Sequence, residues 1–220
     1  MIKVFIGYDS NETVAWHVLC HSILKHSSEP VSFIPVARNH IKHLYDKPKD
    51  GYESTEFSMT RFLVPHLCDY EGWAIFIDCD MVVTDDIAKL WALRDDNYSI
   101  MCTQHGYNPT TTSKFLNQKQ TNYNKKNWSS VMMFNNNKCK ALTPKYANYN
   151  SGPGIQGAIN GCNVLVDNSS LAYPVSIRYS QIENPPVIDR EEWFVELCHT
   201  EYFVQEIEQG LWYNRIKKAL

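Results

Sequence analysis

The stretch Ile75-Phe76-Ile77-Asp78-Cys79-Asp80-Met81-Val82-Val83 decides the fold class. Its apolar residues predict a buried β-strand, yet two acids interrupt the run one residue apart. Because side chains alternate between the two faces of a strand, we expect Asp78 and Asp80 to point the same way. Two carboxylates on one side repel each other unless a cation holds them, and oxygen ligands suit Mg²⁺ or Mn²⁺. The pair therefore indicates a metal–diphosphate site at the edge of a sheet.

The residues before this stretch predict a strand, a helix and a second strand. Ile2 to Ile6 and Val31 to Val36 are apolar runs of strand length, and the residues from about Glu12 to Lys25 have helical periodicity. A strand–helix–strand order implies a parallel pair of strands and hence an α/β fold. We predict one Rossmann-like domain over residues 1–220, with a mixed, mostly parallel central sheet flanked by helices. The expected buried face of the first helix consists of Val14, Val18, Ile23 and Leu24.

Two residues after the first strand are candidates for the same crevice. In α/β sheets, ligands bind beyond the carboxyl ends of the strands. Tyr8 and Asp9 follow the first strand directly, so we expect them to lie near Asp78 and Asp80. Tyr8 is either a residue that stacks on a base or a packed rim residue. Asp9 or Ser10 is also the predicted N-cap of the helix.

Bulk composition excludes several classes of protein. The chain has 220 residues, of which 44% are hydrophobic and 20% charged, a balance typical of globular domains. Its net charge of −3 argues against a protein that coats nucleic acid through bulk charge. No apolar run reaches the length that spans a membrane, and the N-terminus has the pattern of a strand rather than of a signal peptide.

The cysteines indicate a reducing compartment. There are seven of them, no two form a CxxC, and an odd number favours buried free thiols over a disulfide framework. Paired ligand spacing for zinc is missing. We therefore expect a cytoplasmic protein. The late aromatic residues favour a packed helix, with contact to a membrane surface as the alternative; they are Phe194, Phe203, Trp212 and Tyr213.

The chain resembles a known family over roughly its first 135 residues. The segments Met59 to Leu67 and Gly72 to Val83 resemble the GT-A glycosyltransferases with a DXD motif, above all the family of glycogenin and bacterial lipopolysaccharide galactosyltransferases. In that family a helix that carries an arginine precedes a strand that ends in Asp-x-Asp. Ser129 to Asn135 is similar to a later strand of the family, with Ser130 in place of a glycine.

The resemblance implies a nucleotide-sugar donor, commonly a UDP-sugar, with Mn²⁺ or Mg²⁺ between its diphosphate and the two aspartates. In the family the first aspartate, here Asp78, also contacts the donor ribose or sugar, and the second, here Asp80, binds the metal most directly. Arg61 is then a charge partner for phosphate or for these acids. Ser129 and Ser130 are candidates for hydrogen bonds to the donor. The likeness also implies retention of the anomeric configuration.

The second half departs from the family pattern. The segment Ile155 to Asn160 keeps Gln156 and Asn160 of an Asp-Gln-Asp-x-Leu-Asn-like segment but lacks both acids. We take Gln156 as a candidate donor-site residue. His199 is the only late histidine and hence the candidate for the family's last metal ligand, although the glycine, lysine, proline and tryptophan that accompany that ligand are absent.

The acceptor is left open by the sequence. A glycan, a glycolipid or another hydroxyl acceptor fits the resemblance. The long polar connection from Gln104 to Asn127 contains four lysines and suits an anionic glycan, a lipid-linked sugar, nucleic acid, or a lid over the donor.

Two other functions compete with glycosyl transfer. The missing acids of the second half are compatible with a module that binds nucleotide sugars without catalysis. A phosphohydrolase of the haloacid dehalogenase type also has a strand that ends in Asp-x-Asp. That chemistry needs further acids downstream, whereas the aspartates after Asp96 are Asp167 and Asp189, each isolated. We therefore rank it last.

Overall fold

The computed structural model of the chain describes residues 1–49, 53–83, 85–103, 113–114, 118–119, 128–150, 164–167 and 177–179. In chain order the described strands are β1 (Ile2–Tyr8), β2 (Val31–Ala37), β3 (Trp73–Ile77), β4 (Met81–Val83), β5 (Ile100–Thr103), β6 (Ser113–Lys114), β7 (Gln118–Lys119), β8 (Val131–Asn135), β9 (Val164–Asp167) and β10 (Ile177–Tyr179). The α-helices are α1 (Thr13–His26), α2 (Val64–Leu67), α3 (Ile87–Ala92) and α4 (Pro144–Tyr149). Turns of 3-10 helix cover Thr60–Leu63, Trp128–Ser130 and Asn136–Lys138.

The central sheet has the strand order β2–β1–β3–β8–β5–β9. β1 pairs in parallel with β2 and β3, and β5 pairs in parallel with β9, whereas β8 runs antiparallel to both β3 and β5. This arrangement confirms the predicted α/β fold with a mixed, mostly parallel sheet. The carboxyl ends of β1, β2 and β3 and the amino end of β8 consequently lie at one edge of the sheet.

β3 is buried over most of its length because it lies between β1 and β8. Its residues Ala74 to Ile77 are all 0% exposed. A strand covered on both faces needs apolar residues at every position, which explains why the run does not alternate. The Phe57 and Phe76 rings pack near each other, with their centroids 6.3 Å apart.

α1 packs against β4 and β1. The hydroxyl oxygen of Ser22 accepts a hydrogen bond from the Val83 backbone N–H at 3.1 Å, which ties the helix to β4. The prediction that Leu24 is buried is wrong, because this residue is 62% exposed. Each residue advances the helix by about 100°, so Leu24 falls outside the buried stripe. The buried residues of α1 are Val14, Ala15, Val18, Leu19, Cys20, Ser22 and Ile23.

The predicted N-cap of α1 is also wrong. Glu12 occupies the cap position, and its side chain makes no capping hydrogen bond. Asp9 and Ser10 lie one turn earlier, where the Asp9 carbonyl accepts a hydrogen bond from the Glu12 N–H at 2.9 Å. The chain therefore makes a separate turn between β1 and α1, and the helix starts later than the preferred cap residues predict.

The acidic strand is interrupted, which the apolar pattern did not predict. β3 ends at Ile77, a turn contains Cys79 and Asp80, and β4 begins at Met81. Strand alternation therefore cannot be the reason why Asp78 and Asp80 share a site. β4 is not part of the central sheet and pairs with β10 in a separate two-stranded sheet.

Two other segments differ from the predicted elements. The segment with Arg61, which the family resemblance gives as a helix, is a 3-10 turn followed by the short α2, with Pro65 in the first turn of that helix. The segment from Ser129 that resembles a later strand of the family becomes a strand only at Val131, after a 3-10 turn. Pro65 is tolerated there because the first residues of a helix have no intrahelical partner for their N–H groups.

The cysteines of the described part are free thiols, as predicted. Cys20, Cys68, Cys79, Cys102 and Cys139 are all buried and unbridged. Burial raises the pKa of the Cys20 thiol to about 12, so it remains un-ionised at neutral pH. Among the helices that the structure describes, none is both long and apolar enough to cross a membrane. The prediction of one domain over residues 1–220 remains a prediction.

Gly7 lies where β1 packs against Phe57, in the segment before Arg61, so its substitution tests how tight this packing is. A Cβ at Gly7 would lie 2.4 Å from Cδ2 of Phe57, whose side chain is 1% exposed. Gly7→Ala must displace this ring, so we expect the free energy of unfolding to fall by roughly 1–3 kcal/mol. Urea denaturation measures the change.

The control is the same substitution in a Phe57→Leu background, which removes the ring atoms that the new methyl group would meet. There the cost of Gly7→Ala should be smaller. Equal costs in both backgrounds would show that the Phe57 contact is not the cause.

Candidate functional site

The reversed direction of β8 brings two distant segments together at the edge of the sheet. Ile77 at the end of β3 pairs with Val131 at the start of β8. One residue further, the Asp78 N–H donates a hydrogen bond to the Ser130 carbonyl at 2.9 Å. The first aspartate of the motif and the Ser129-Ser130 pair are therefore neighbours.

Arg61 joins this edge from a third segment. Its Nη1 lies 2.7 Å from Asp78 Oδ1, and it also donates to the Ser129 carbonyl at 3.0 Å and to Ser129 Oγ at 3.3 Å. The guanidinium carbon lies 5.2 Å from the ring centroids of both Phe57 and Phe76. Arg61 is 7% exposed. An arginine held by two rings and an aspartate is preorganised, because its planar donors have fixed partners.

The two aspartates of the motif differ in their surroundings. Burial raises the pKa of Asp78, although the Arg61 guanidinium acts in the opposite direction. Burial also raises the pKa of Asp80, well above its usual range, and the neighbouring carboxylates of Glu12 and Asp78 add to this rise. Asp80 thus lies in a field of like charges that Arg61 offsets only in part.

Glu12 is the residue that the sequence analysis missed. Helical periodicity in the sequence indicates this residue only as the approximate start of a helix. Its side chain is 4% exposed, and its Oε2 accepts a hydrogen bond from the Cys79 thiol at 3.4 Å. No signal in the sequence marks it, because its N-cap position is known only from the structure.

The residues after β1 form the neighbouring part of the edge. Asp9 is 0% exposed, and its Oδ1 accepts from the N–H and from the side-chain amide of Asn11, each at 2.9 Å. Its Oδ2 accepts from the Glu56 N–H at 2.9 Å. Tyr8 is half-buried, with its hydroxyl 3.3 Å from Thr13 Oγ1. Asp9 therefore joins the loop after β1 to the segment that leads to Arg61, and its role toward a donor stays a prediction.

The structure brings five of the nine candidates to one place, and Tyr8 and Asp9 belong to the neighbouring part of the edge. Arg61, Asp78, Asp80, Ser129 and Ser130 meet where β3 ends and β8 begins. Gln156 and His199 lie outside the described residues.

The part of the chain that the structure describes contains no group of three His, Cys, Asp or Glu side chains that could hold a metal ion. Within the described residues, a metal ion bound at this site would take its protein oxygen ligands from Asp78 and Asp80. The oxygen-only character of this pair fits a hard divalent cation that completes its shell with substrate oxygens and water.

Asp86 has a structural role at the start of α3. It is the N-cap of α3, with its Oδ1 accepting from the Ala88 N–H at 2.9 Å. The same carboxylate accepts from the Ser28 N–H and hydroxyl. Asp85 pairs with Lys89 on the surface at 2.8 Å. These acids are engaged in a helix start and a surface ion pair.

Comparison with known proteins identifies the class. Residues 21–143 match glycosyl transferase family 8. The chain is 38% identical over 200 residues to Protein CDI of Arabidopsis thaliana, a match that covers 81% of this chain and 77% of that protein. The chain belongs to glycosyl transferase family 8, and it is a nucleotide-sugar-dependent glycosyltransferase. This confirms the family resemblance and excludes the dehalogenase-type phosphohydrolase.

Solved structures agree with this fold. The galactosyltransferase LgtC, in a complex with donor and acceptor sugar analogues, has a TM-score of 0.59 at 10% identity, over 97% of this chain and 100% of that chain. The glycosyltransferase GlyE of Streptococcus pneumoniae TIGR4 has a TM-score of 0.56 at 11% identity, over 99% of this chain and 62% of that chain. At such identities the likeness establishes the GT-A fold alone.

The Arg61–Asp78 pair can be tested by its contribution to stability. Arg61→Met removes the guanidinium and leaves the Asp78 carboxylate in a buried site. Breaking one side of a buried ion pair costs roughly 3–5 kcal/mol, and we expect a loss of free energy of unfolding near the lower end because Asp78 can take up a proton. Urea denaturation at neutral pH measures the loss.

The matched control is the double variant Arg61→Met with Asp78→Asn, in which no charge is left unpaired. It should recover part of the stability lost in the single variant. If it is as unstable as Arg61→Met, the loss comes from packing against the two phenylalanine rings and not from the uncompensated charge.

Proposed function

We propose that the protein transfers the sugar of a UDP-sugar, with Mn²⁺ or Mg²⁺ between the donor diphosphate and the carboxylates of Asp78 and Asp80. The observation that carries this proposal is the Asp78–Asp80 turn at the carboxyl end of β3, with Arg61 2.7 Å from Asp78. This is the edge at which α/β sheets bind nucleotides.

Asp78 and Asp80 would have different roles in donor binding. Asp80 is partly exposed and would hold the cation most directly. Asp78 has its backbone bonded to Ser130 and one carboxylate oxygen beside Arg61, so its position is set before a donor arrives. Its second oxygen would then reach the cation or the donor ribose. When bound, the cation supplies stabilisation of the negative charge that develops on the departing diphosphate.

Other residues would orient the donor. Tyr8 offers a half-buried ring at the end of β1 for the nucleotide base, and Asp9 would shape the same wall. Ser129 and Ser130 line the start of β8 and would donate hydrogen bonds to donor oxygens. Ser130 is 4% exposed, so its backbone carbonyl on Asp78 is the better supported of its roles.

The remaining parts of the proposal concern the second half of the chain. Gln156 would contact the donor sugar, and His199 would complete the metal shell. The acceptor is a glycan or a glycoconjugate, the anomeric configuration is retained, and the protein acts in the cytoplasm. The family resemblance and the free cysteines support these statements.

A donor screen tests the proposal. A ligand that binds only the folded protein raises its stability by about 2.7 kcal/mol at a hundredfold excess over Kd. We expect a UDP-sugar to raise the thermal midpoint with Mn²⁺ and not with EDTA. Asp80→Asn should abolish this shift, because it removes the carboxylate that holds the ion. Asp85→Asn is the matched control, since Asp85 belongs to a surface ion pair, and it should keep the shift.

The same samples give a second measurement, the slow release of free sugar from the donor. Metal-dependent release that Asp80→Asn removes would support catalysis at this site. Neither a shift nor hydrolysis with any nucleotide sugar would reject the proposal. A tight shift without transfer or hydrolysis would instead favour a binding module that lacks catalysis.

A further inference from the structure

The segment that follows β2 is rich in positive charge. Residues 38–49 contain four lysines or arginines and one acid, Asp46, although the net charge of the whole chain is −3. A local excess of one sign attracts partners of the opposite sign to that part of the surface, whatever the net charge of the molecule. The segment is therefore a candidate interaction surface for an anionic partner.

Hydrogen bonds and buried side chains fix this segment in a series of turns. The His40 N–H donates to the Ala37 carbonyl at 3.0 Å, and the Tyr45 N–H donates to the Ile41 carbonyl at 2.9 Å. Ile41 and Tyr45 are 8% and 1% exposed, so they anchor the segment on the protein. The charges of the segment consequently have a fixed place on the surface.

Arg38 is engaged inside the segment. Its Nη1 lies 3.1 Å from Oε2 of Glu53, and its Nη2 donates to the Lys47 carbonyl. Its guanidinium carbon lies 5.0 Å from the ring centroid of Tyr45. An arginine held in this way stabilises the turns and is not counted toward an external partner.

Two lysines of the segment face solvent. Lys42 and Lys49 are exposed, and so is Asp46, whereas Lys47 is half-buried with its Nζ 3.5 Å from the Asn150 carbonyl. The exposed charges of the segment are thus mainly positive.

α4 lies against this segment and extends its surface. Asn148 of the helix accepts with its Oδ1 from the N–H groups of Asp46 and Lys47, at 3.1 and 3.2 Å. Its Nδ2 donates to the Leu44 carbonyl at 2.8 Å. The exposed side of α4 and the exposed side of the segment are therefore neighbouring parts of one surface.

The exposed side of α4 carries a lysine and an aromatic ring. Lys145 and Tyr149 are four residues apart and so share one face, while Ala147 on the opposite face is 2% exposed. Tyr149 is 81% exposed, more than the other exposed large hydrophobic side chains that the structure describes. A ring that lines a ligand groove has one face covered, whereas this ring stands out from the protein. A protruding tyrosine beside lysines suits the headgroup region of a bilayer, because its ring is apolar and its hydroxyl is polar.

This surface lies beside the edge of the sheet that carries the aspartate motif. Residues 38–49 begin directly after the carboxyl end of β2, and β1 alone separates β2 from β3. Neighbouring strands are about 4.8 Å apart, so the ends of β2 and β3 are separated by about 10 Å across the sheet.

We propose that Lys42, Lys49, Lys145 and Tyr149 form a basic surface that binds the anionic phospholipid headgroups of a membrane. The three lysines attract the lipid charges, and the Tyr149 ring enters the interface. This inference goes beyond the proposed function and requires neither the metal nor the donor. Only one consequence rests on the proposed function, namely that the donor site then lies close to acceptors at the membrane surface.

The test is co-sedimentation of the full chain with lipid vesicles. We expect the protein to bind phosphatidylcholine vesicles that contain about 30% phosphatidylserine, to leave vesicles of phosphatidylcholine alone unbound, and to dissociate at high salt. Each lysine near an anionic surface contributes roughly fivefold to binding, so the triple variant Lys42→Gln, Lys49→Gln, Lys145→Gln should bind on the order of 100-fold more weakly.

The matched control is the triple variant Lys3→Gln, Lys25→Gln, Lys140→Gln. These lysines are also exposed, and they lie at the opposite edge of the sheet, at the start of β1, in the last turn of α1 and after the end of β8. Both triple variants have the same net charge, so general repulsion from the lipid is equal in the two. The control should bind the vesicles as the wild type does.

Tyr149 separates membrane insertion from attraction by charge alone. Tyr149→Ser should weaken vesicle binding several-fold, and Tyr149→Phe, which keeps the apolar ring, should retain it. Because all the substituted side chains are exposed, the thermal midpoint of each variant should equal that of the wild type. The thermal shift with UDP-sugar and Mn²⁺ should also be retained, so failure of the proposed function does not affect this test.

Three results would overturn the inference. The first is absence of binding to the phosphatidylserine vesicles, or equal binding to the neutral ones. The second is an equal loss of binding in the two triple variants. The third is binding of the acidic polysaccharide polygalacturonate by a protein that leaves the vesicles unbound, which would assign the surface to an acidic glycan instead.

Discussion

The contact between Arg61 and Asp78 is the constraint on which the site depends. It joins the 3-10 turn before α2, the end of β3 and the start of β8, which are remote in sequence. The guanidinium lies against two buried rings, so its charge is held in an apolar setting where an aspartate is the favourable partner. The position of the first aspartate is thereby set by the fold and needs no ligand to establish it.

The second aspartate lies beside groups of like charge, since Glu12 and Asp78 both raise the pKa of Asp80. Burial and like charges make the ionised state of Asp80 unfavourable in the protein alone. A site of this kind gains free energy when a cation enters, because the cation removes the repulsion that folding has imposed. Under the proposed function stability and donor binding would be coupled, since Asp78 and Asp80 repel each other in the free protein and are the residues proposed to hold the metal.

Local patterns in the sequence predicted much of the fold. The strands β1, β2 and β3 and the helix α1 follow from apolar runs and helical periodicity, and they lie within a few residues of their predicted positions. The errors occurred where neighbours in space decide the outcome. Leu24 continues an apolar pattern, but its side chain is exposed. The strand that contains the acidic motif ends at Ile77, and the next strand, β4, pairs with β10 instead of joining the central sheet.

The sequence by itself determined the order of the elements, the family and the pairing of Asp78 with Asp80 as a candidate site, because each of these is carried by residues close together in the chain. Only the tertiary structure decided that Ser129 and Ser130 lie beside Asp78, since this depends on the antiparallel register of β8. It also decided that Glu12, at the start of α1, accepts a hydrogen bond from Cys79, which follows β3 and lies 67 residues later in the chain. Periodicity indicates which face of an element is apolar, but it does not indicate which buried polar groups of different elements come into contact.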